Sequence, residues 1–188
     1  MAMVDSHNQR VWRFDPAYTT VEFVIRNLWY NVKGRFTDIE GVILLDEDDI
    51  SRSSVTATIK ARSIDTGNKR RDAHLLSKDF FDAESYAEIN FESSSVRRGK
   101  DRDSLDVDGV LTIKDRRVPI ALAVNEMDRS RSPNGEEFVY YSATTELDRF
   151  AFGINYGGGT LMGRRLKVLI NVQASSKYEP RIYTDKYR

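Results

Sequence analysis

The feature that most limits how this chain folds is alternation of apolar and polar residues, repeated in segment after segment. Val55, Ala57, Ile59 and Ala61 alternate with Thr56, Thr58, Lys60 and Arg62. Leu105, Val107, Gly109, Leu111 and Ile113 repeat the pattern, as do Val21, Phe23 and Ile25. Ile89 and Phe91 follow it, and so do Leu166, Val168, Ile170 and Val172. A period of two gives each strand one dry face and one wet face, as antiparallel sheets have. The run Ile39 to Leu45 is apolar on both faces at Val42, Ile43, Leu44 and Leu45. Val118, Ile120, Leu122 and Val124 stand opposite small Ala121 and Ala123. Phe138 to Leu147 is rich in aromatic residues and Thr, a strand composition. Turn signals separate the runs at Asp46 to Ser51, Gly99 to Asp103 and Asp115 to Arg117. Pro133-Asn134-Gly135, inside Arg129 to Gly135, reads as a hairpin loop. About eight regularly spaced strands predict an all-β sandwich or barrel. With 188 residues, the expectation is a single domain over residues 1–188.

One segment breaks the pattern. Asn68 to Tyr86 (NKRRDAHLLSKDFFDAESY) has helix formers and no alternation. It predicts a helical insert over about residues 68–86, between the third and fourth strands. Asn68 is expected to cap one short helix, and Ser77 a second with Asp79 in its first turn.

Composition then removes whole classes of function. Lys and Arg number 29 and so do Asp and Glu, which leaves no electrostatic footprint for nucleic acid or an anionic membrane surface. Cysteine is absent, so no disulfide, thiolate nucleophile or Cys-zinc site is available. The two histidines, His7 and His74, are too few for a three-histidine metal site, and no metal is expected. No run approaches the length of a membrane-spanning helix, so integral insertion is not expected. The opening MAMVDSHNQRVWRFDPAY lacks a basic region followed by an apolar stretch. This predicts a cytoplasmic protein, or a periplasmic or secreted one if a signal has been removed.

Candidate chemistry is sparse. His74 lies near Asp72, Ser77 and Asp79, the residue types of a hydrolase triad, but no Gly-X-Ser-X-Gly elbow accompanies them. The preferred reading is a histidine that anchors the insert or touches a ligand head group, and no catalytic residue is assigned. Asp46-Glu47-Asp48-Asp49 has no internal Gly for a calcium loop and reads as a solvated turn. Lys69-Arg70-Arg71 reads as a solvated face, with steering of an anionic head group as the alternative. Gly157-Gly158-Gly159 precedes a strand rather than a helix, so it reads as a turn and not a phosphate loop. Aromatic residues recur in strands, at strand ends and in the insert, among them Phe23, Trp29, Tyr30, Phe36, Tyr86, Phe150 and Phe152. They suit either an ordinary core or a lumen just wide enough for one small ligand.

Longer motifs carry a resemblance. FDPAYTTVEFVIRNL and VKGRFTDIEGVILLD are similar to the opening of the YceI-like family of polyisoprenoid-binding proteins. Ser63-Ile64-Asp65-Thr66-Gly67-Asn68, then Arg71-Asp72-Ala73-His74-Leu75 and Asp79-Phe80-Phe81-Asp82, resemble its most recognisable run. Gly109 to Lys114, Phe152 to Tyr156 and the last strand extend the likeness from about Trp12 to Ala174. The resemblance implies a lipocalin-like antiparallel β-barrel with a helical segment, often dimeric, so a homodimer is expected. It also implies an elongated cavity for an isoprenoid or other long-chain amphiphile. The sequence departs from the family at Asn27, where a His often follows the Arg, and bulky Trp29 is expected to narrow the cavity.

The expected lining is Phe23, Ile25, Phe36, Ile43, Ile59, Phe91, Leu111, Ile113, Ile120 and Ile170, with Phe80 and Phe81 from the insert. Arg26, Arg71, Asp72 and His74 are the expected polar groups at the mouth. The leading reading is a non-enzymatic carrier or store for a polyisoprenoid, such as a quinone tail or prenyl phosphate. No cofactor is expected beyond such a bound lipid, and the partner is a lipid-like small molecule. Two alternatives stand beside it. One is an enzyme on a lipid or quinone-like substrate with His74 and Asp72 as acid and base. The other is an interaction protein whose barrel is filled by its own side chains.

Overall fold

Each alternating segment forms a strand in the computed structural model, which describes residues 9–177. The strands are β1 (Gln9–Phe14), β2 (Thr20–Asn27), β3 (Tyr30–Phe36), β4 (Ile39–Asp46), β5 (Ser54–Lys60), β6 (Ile64–Asp65), β7 (Glu88–Arg98), β8 (Ser104–Ile113), β9 (Arg116–Arg131), β10 (Glu136–Asp148) and β11 (Met162–Lys177). All pair antiparallel, in the order β1-β4-β5-β7-β8-β9-β10-β11. β11 pairs again with β1 at Ala174 and Ser175, so this ring of eight closes. Closure satisfies the strand edges that an open sheet would leave bare. The all-β, lipocalin-like barrel expected from the sequence is the architecture observed.

Eleven strands make eight staves because three staves are broken. β11 pairs with β1 near its end and with β2 from Met162 to Asn171, so β1 and β2 are two parts of one stave. β4 pairs with β1 and β3 with β2, which makes β3 and β4 the next. β5 pairs with β4 and β6 with β3, which makes the third. Local polar contacts make the breaks. Asp15 accepts the backbone N–H of Ala17 on its side chain, and a 3-10 turn over Ala61–Ser63 separates β5 from β6.

Two wall glycines set where aromatic rings lie. A Cβ on Gly41 would sit 2.3 Å from the ring of Phe14, and one on Gly34 would sit 2.4 Å from that of Phe23. Each ring therefore occupies wall space that a side chain would otherwise fill.

The insert contains one helix, α1 (Lys69–Leu75). Asn68 caps it as expected, accepting from the Arg71 backbone N–H at 3.1 Å. The second helix does not form. Ser77 Oγ donates to the His74 carbonyl instead of capping, and Phe80 and Asp82 donate their N–H groups back to the Ser77 carbonyl. Asp82 then takes φ +46°, a left-handed conformation that helix propagation does not allow.

β10 and β11 are joined by a 3-10 turn, Arg149–Phe152, and a single helical turn, α2 (Gly158–Leu161). Gly157 and Gly158 have φ of +70° and +56°, so the glycine triplet is a turn element, as read from the sequence. Arg149 is 4% exposed and holds this loop together. It donates to the carbonyls of Ile154, Tyr156, Gly158, Met162 and Gly163.

Candidate functional site

The inward faces of the staves enclose a cavity of about 210 Å³. Its wall is apolar almost throughout, because alternation directs one parity of every strand inward. Ten of the twelve residues expected to line it do so: Phe23, Phe36, Ile43, Ile59, Phe81, Phe91, Leu111, Ile113, Ile120 and Ile170. Ile25 and Phe80 are buried, at 8% and 4% exposure, but lie outside the cavity wall. The wall also includes Phe14, Val21, Leu105, Val107, Leu166 and Val168. Most of these share the parity of residues already named, so the same alternation identifies them. Besides Tyr141, the polar residues of the wall are Ser53, Ser54, Thr145 and, at the break between β1 and β2, Thr19. Thr19 is 2% exposed, and its hydroxyl has no hydrogen-bond partner among the described residues.

The insert lies at one end of this cavity and brings its polar residues to each other rather than to the lumen. Asp72 accepts from the Thr66 N–H at 3.0 Å and from the Thr66 hydroxyl. Arg71 donates to the Thr66 hydroxyl and carbonyl, both at 2.8 Å. His74 Nε2 lies 3.1 Å from Asp79 Oδ2, and the imidazole meets the rings of Phe80 and Tyr156 edge-on. Ser77 is bonded to a backbone carbonyl, so no nucleophile faces His74. Phe81 sets its ring edge-on to Phe36 with centroids 5.7 Å apart. Arg26 is exposed, on the parity opposite to lumen-facing Phe23. The four expected mouth residues thus form a latch and an outer-face cation, not a cluster around an opening. Trp29 does not narrow the cavity. It sits at the β2–β3 turn and is 93% exposed.

The opposite end holds a second, polar cavity of about 480 Å³. Leu45, Ile50, Leu105 and Tyr141 line both cavities, so the polar one is a vestibule to the apolar one. Glu47, Arg98, Arg102, Asp103, Glu126 and Arg129 complete it. Arg129 donates to Glu126 at 3.0 Å and also to Glu47, and Tyr141 donates its hydroxyl to Glu126 at 3.2 Å. Burial opposes the charge of Arg129, but bonds to Glu126 and Glu47 outweigh it and raise its pKa. Burial first, and then the charge of Glu126, raise the pKa of Tyr141, so its hydroxyl stays a donor. Beneath this network Trp12, fully buried, carries the guanidinium groups of Arg10 and Arg129 at 4.9 and 5.5 Å from its ring centroid.

The acidic run is not wholly solvated. Asp46 is fully buried, accepts the N–H groups of Asp48 and Asp49, and binds Arg52 Nε at 2.8 Å. The Arg52 bond, followed by that from Asp49, holds its carboxyl below the usual range. Its job is to fold the turn beside the vestibule. Among the described residues no group of three His, Cys, Asp or Glu side chains is placed to hold a metal, and no helix is long and apolar enough to cross a membrane. His7 lies outside the described residues.

A closed antiparallel barrel of eight staves around an apolar lumen defines a lipocalin-like class. Within that class the chain belongs to the YceI-like domain family, whose profile matches residues 12–174. A UPF0312 protein of Staphylococcus aureus is 34% identical over 161 residues, covering 82% of this chain and 91% of its own. Among solved structures, BcnA of Burkholderia cenocepacia superposes with a TM-score of 0.75 at 21% identity, over 85% of this chain and 98% of its own. A polyisoprenoid binding domain from Saccharophagus degradans superposes with a TM-score of 0.64 at 14% identity, over 88% and 98% of the two chains.

Proposed function

We propose that this protein binds a polyisoprenoid or similar long-chain amphiphile inside the barrel and carries or stores it. The apolar cavity is the observation that supports the reading most directly. It runs along the staves from Phe81 by the insert to Leu105 by the vestibule. Its volume, about 210 Å³, is below the roughly 300–1,000 Å³ of ordinary ligand pockets. A bulky ring system does not suit such a space, whereas one slender chain does. Each methylene buried contributes about 0.8 kcal/mol, so a long chain binds through area alone. Family membership and the polyisoprenoid binding domain of Saccharophagus degradans favour the same ligand class.

The two alternatives fare less well. An enzyme built on His74 and Asp72 is disfavoured because both side chains are engaged within the insert. A barrel filled by its own side chains is disfavoured by the cavity itself.

Native mass spectrometry of gently purified protein tests the proposal. The expected result is a co-purifying long-chain lipid, one per chain, or a rise in melting temperature on adding farnesol. Absence of both contradicts it.

A further inference from the structure

We infer that the vestibule is the head-group site, and that it takes an anionic group, carboxylate or phosphate, on Arg98 and Arg102. The inference rests on the proposed binding of a long chain in the lumen.

Polar side chains are engaged unequally at the two ends of the barrel. At the insert end Arg71 and Asp72 are both bonded to Thr66, and His74 to Asp79. Arg149 is likewise consumed by backbone carbonyls. Lys69 and Arg70 have no side-chain ion pair with a described residue, but both are exposed and neither lines the cavity. At the vestibule three arginines face three acids, but they are not equally engaged. Glu47 and Glu126 are both taken by Arg129, and Glu126 also receives the Tyr141 hydroxyl. Arg98 and Arg102 have no side-chain hydrogen bond or ion pair with any described residue. Asp103 is the remaining acid, so two unpaired guanidiniums stand against one carboxylate.

Position agrees with charge. Arg98 ends β7, and Arg102 lies in the turn from β7 to β8. Leu105 follows at once and lines both the vestibule and the lumen. A chain threaded in the lumen therefore places its polar end among these residues. The planar fork of a guanidinium matches the two-oxygen edge of a carboxylate or phosphate, and this turn supplies two of them. Arg129 is held by Glu126 and Glu47, and buried Tyr141 by Glu126, so these side chains are fixed beside Arg98 and Arg102.

The test compares ligands that differ only at the head. Binding of hexadecanoate and hexadecanol, and of farnesyl monophosphate and farnesol, is measured on the wild type and on Arg98→Gln/Arg102→Gln. Both arginines are exposed, so the double variant is expected to fold, and its melting curve checks this. The wild type should bind each anion at least tenfold tighter than the matching alcohol, with the preference shrinking at high salt. The double variant should lose that preference while its affinity for the alcohols stays unchanged. The two anions resolve whether the site favours carboxylate or phosphate. Equal affinity for anions and alcohols, or a preference that survives the double substitution, overturns the inference and leaves lumenal binding standing. If the alcohols fail to bind as well, the lumenal reading falls with it.

Discussion

At the scale of single residues, the lumen is shaped as much by what is missing as by what is present. Gly41 leaves a space that the ring of Phe14 fills, with ring atoms 2.3 to 2.8 Å from where its Cβ would stand. Phe14 is itself part of the cavity wall. A side chain at position 41 must push the ring off the wall and into the lumen. Gly41→Val is therefore expected to lower stability by about 1–3 kcal/mol, as overpacking does. It should also weaken binding of a long-chain alcohol at least tenfold. Denaturant melts and a ligand titration read the two effects separately. If binding is unchanged in a folded Gly41→Val protein, the lumen is not where the chain sits. Other single residues act as fasteners. Asp46 folds a turn, Arg149 closes a loop, and Glu137 is held by Arg131 and then Arg10, which keep its carboxyl below the usual range.

At the scale of elements, the insert separates structural from chemical roles. Its helix is short, and its cohesion comes from Phe80 packed against His74 and Tyr156, with ring centroids near 5 Å apart. His74→Ala removes two ring contacts, with Phe80 and Tyr156, and a partly exposed bond to Asp79. The expected loss is about 1 kcal/mol of stability, with ligand affinity unchanged. Loss of binding without loss of folding would return His74 to the site. The same element shows what sequence reading reaches. Strand parity was legible because alternation acts locally: nine of its ten expected residues line the lumen and Ile25 does not, while of the two expected from the insert Phe81 lines it and Phe80 does not. Both are apolar and buried, Ile25 on the strand parity of Phe23 and Phe80 against the rings of His74 and Tyr156. No periodicity records where along a stave the lumen ends, or which ring of the insert turns toward it. The breaks that split staves at Asp15 and at Ala61–Ser63 were unread for a similar reason. The chain there keeps its direction while local hydrogen bonds interrupt the ladder.

At the scale of the whole molecule, the two ends of the barrel divide the work. One is latched by an insert whose polar groups serve each other, and the other opens into a polar vestibule. Equal numbers of acidic and basic residues conceal this, because charge balance over the chain says nothing about which guanidiniums lack partners. The vestibule draws on Glu47, Arg98, Glu126 and Tyr141, from four distant stretches of sequence. It becomes visible only when the ring of strands has closed. The most direct test of the central claim is a crystal structure of the protein with hexadecanol bound. The account predicts one elongated ligand along the barrel axis, from Phe81 towards Leu105, touching Phe91, Leu111 and Ile120. A lumen closed by side chains, with the alcohol bound on the outer surface, would contradict it.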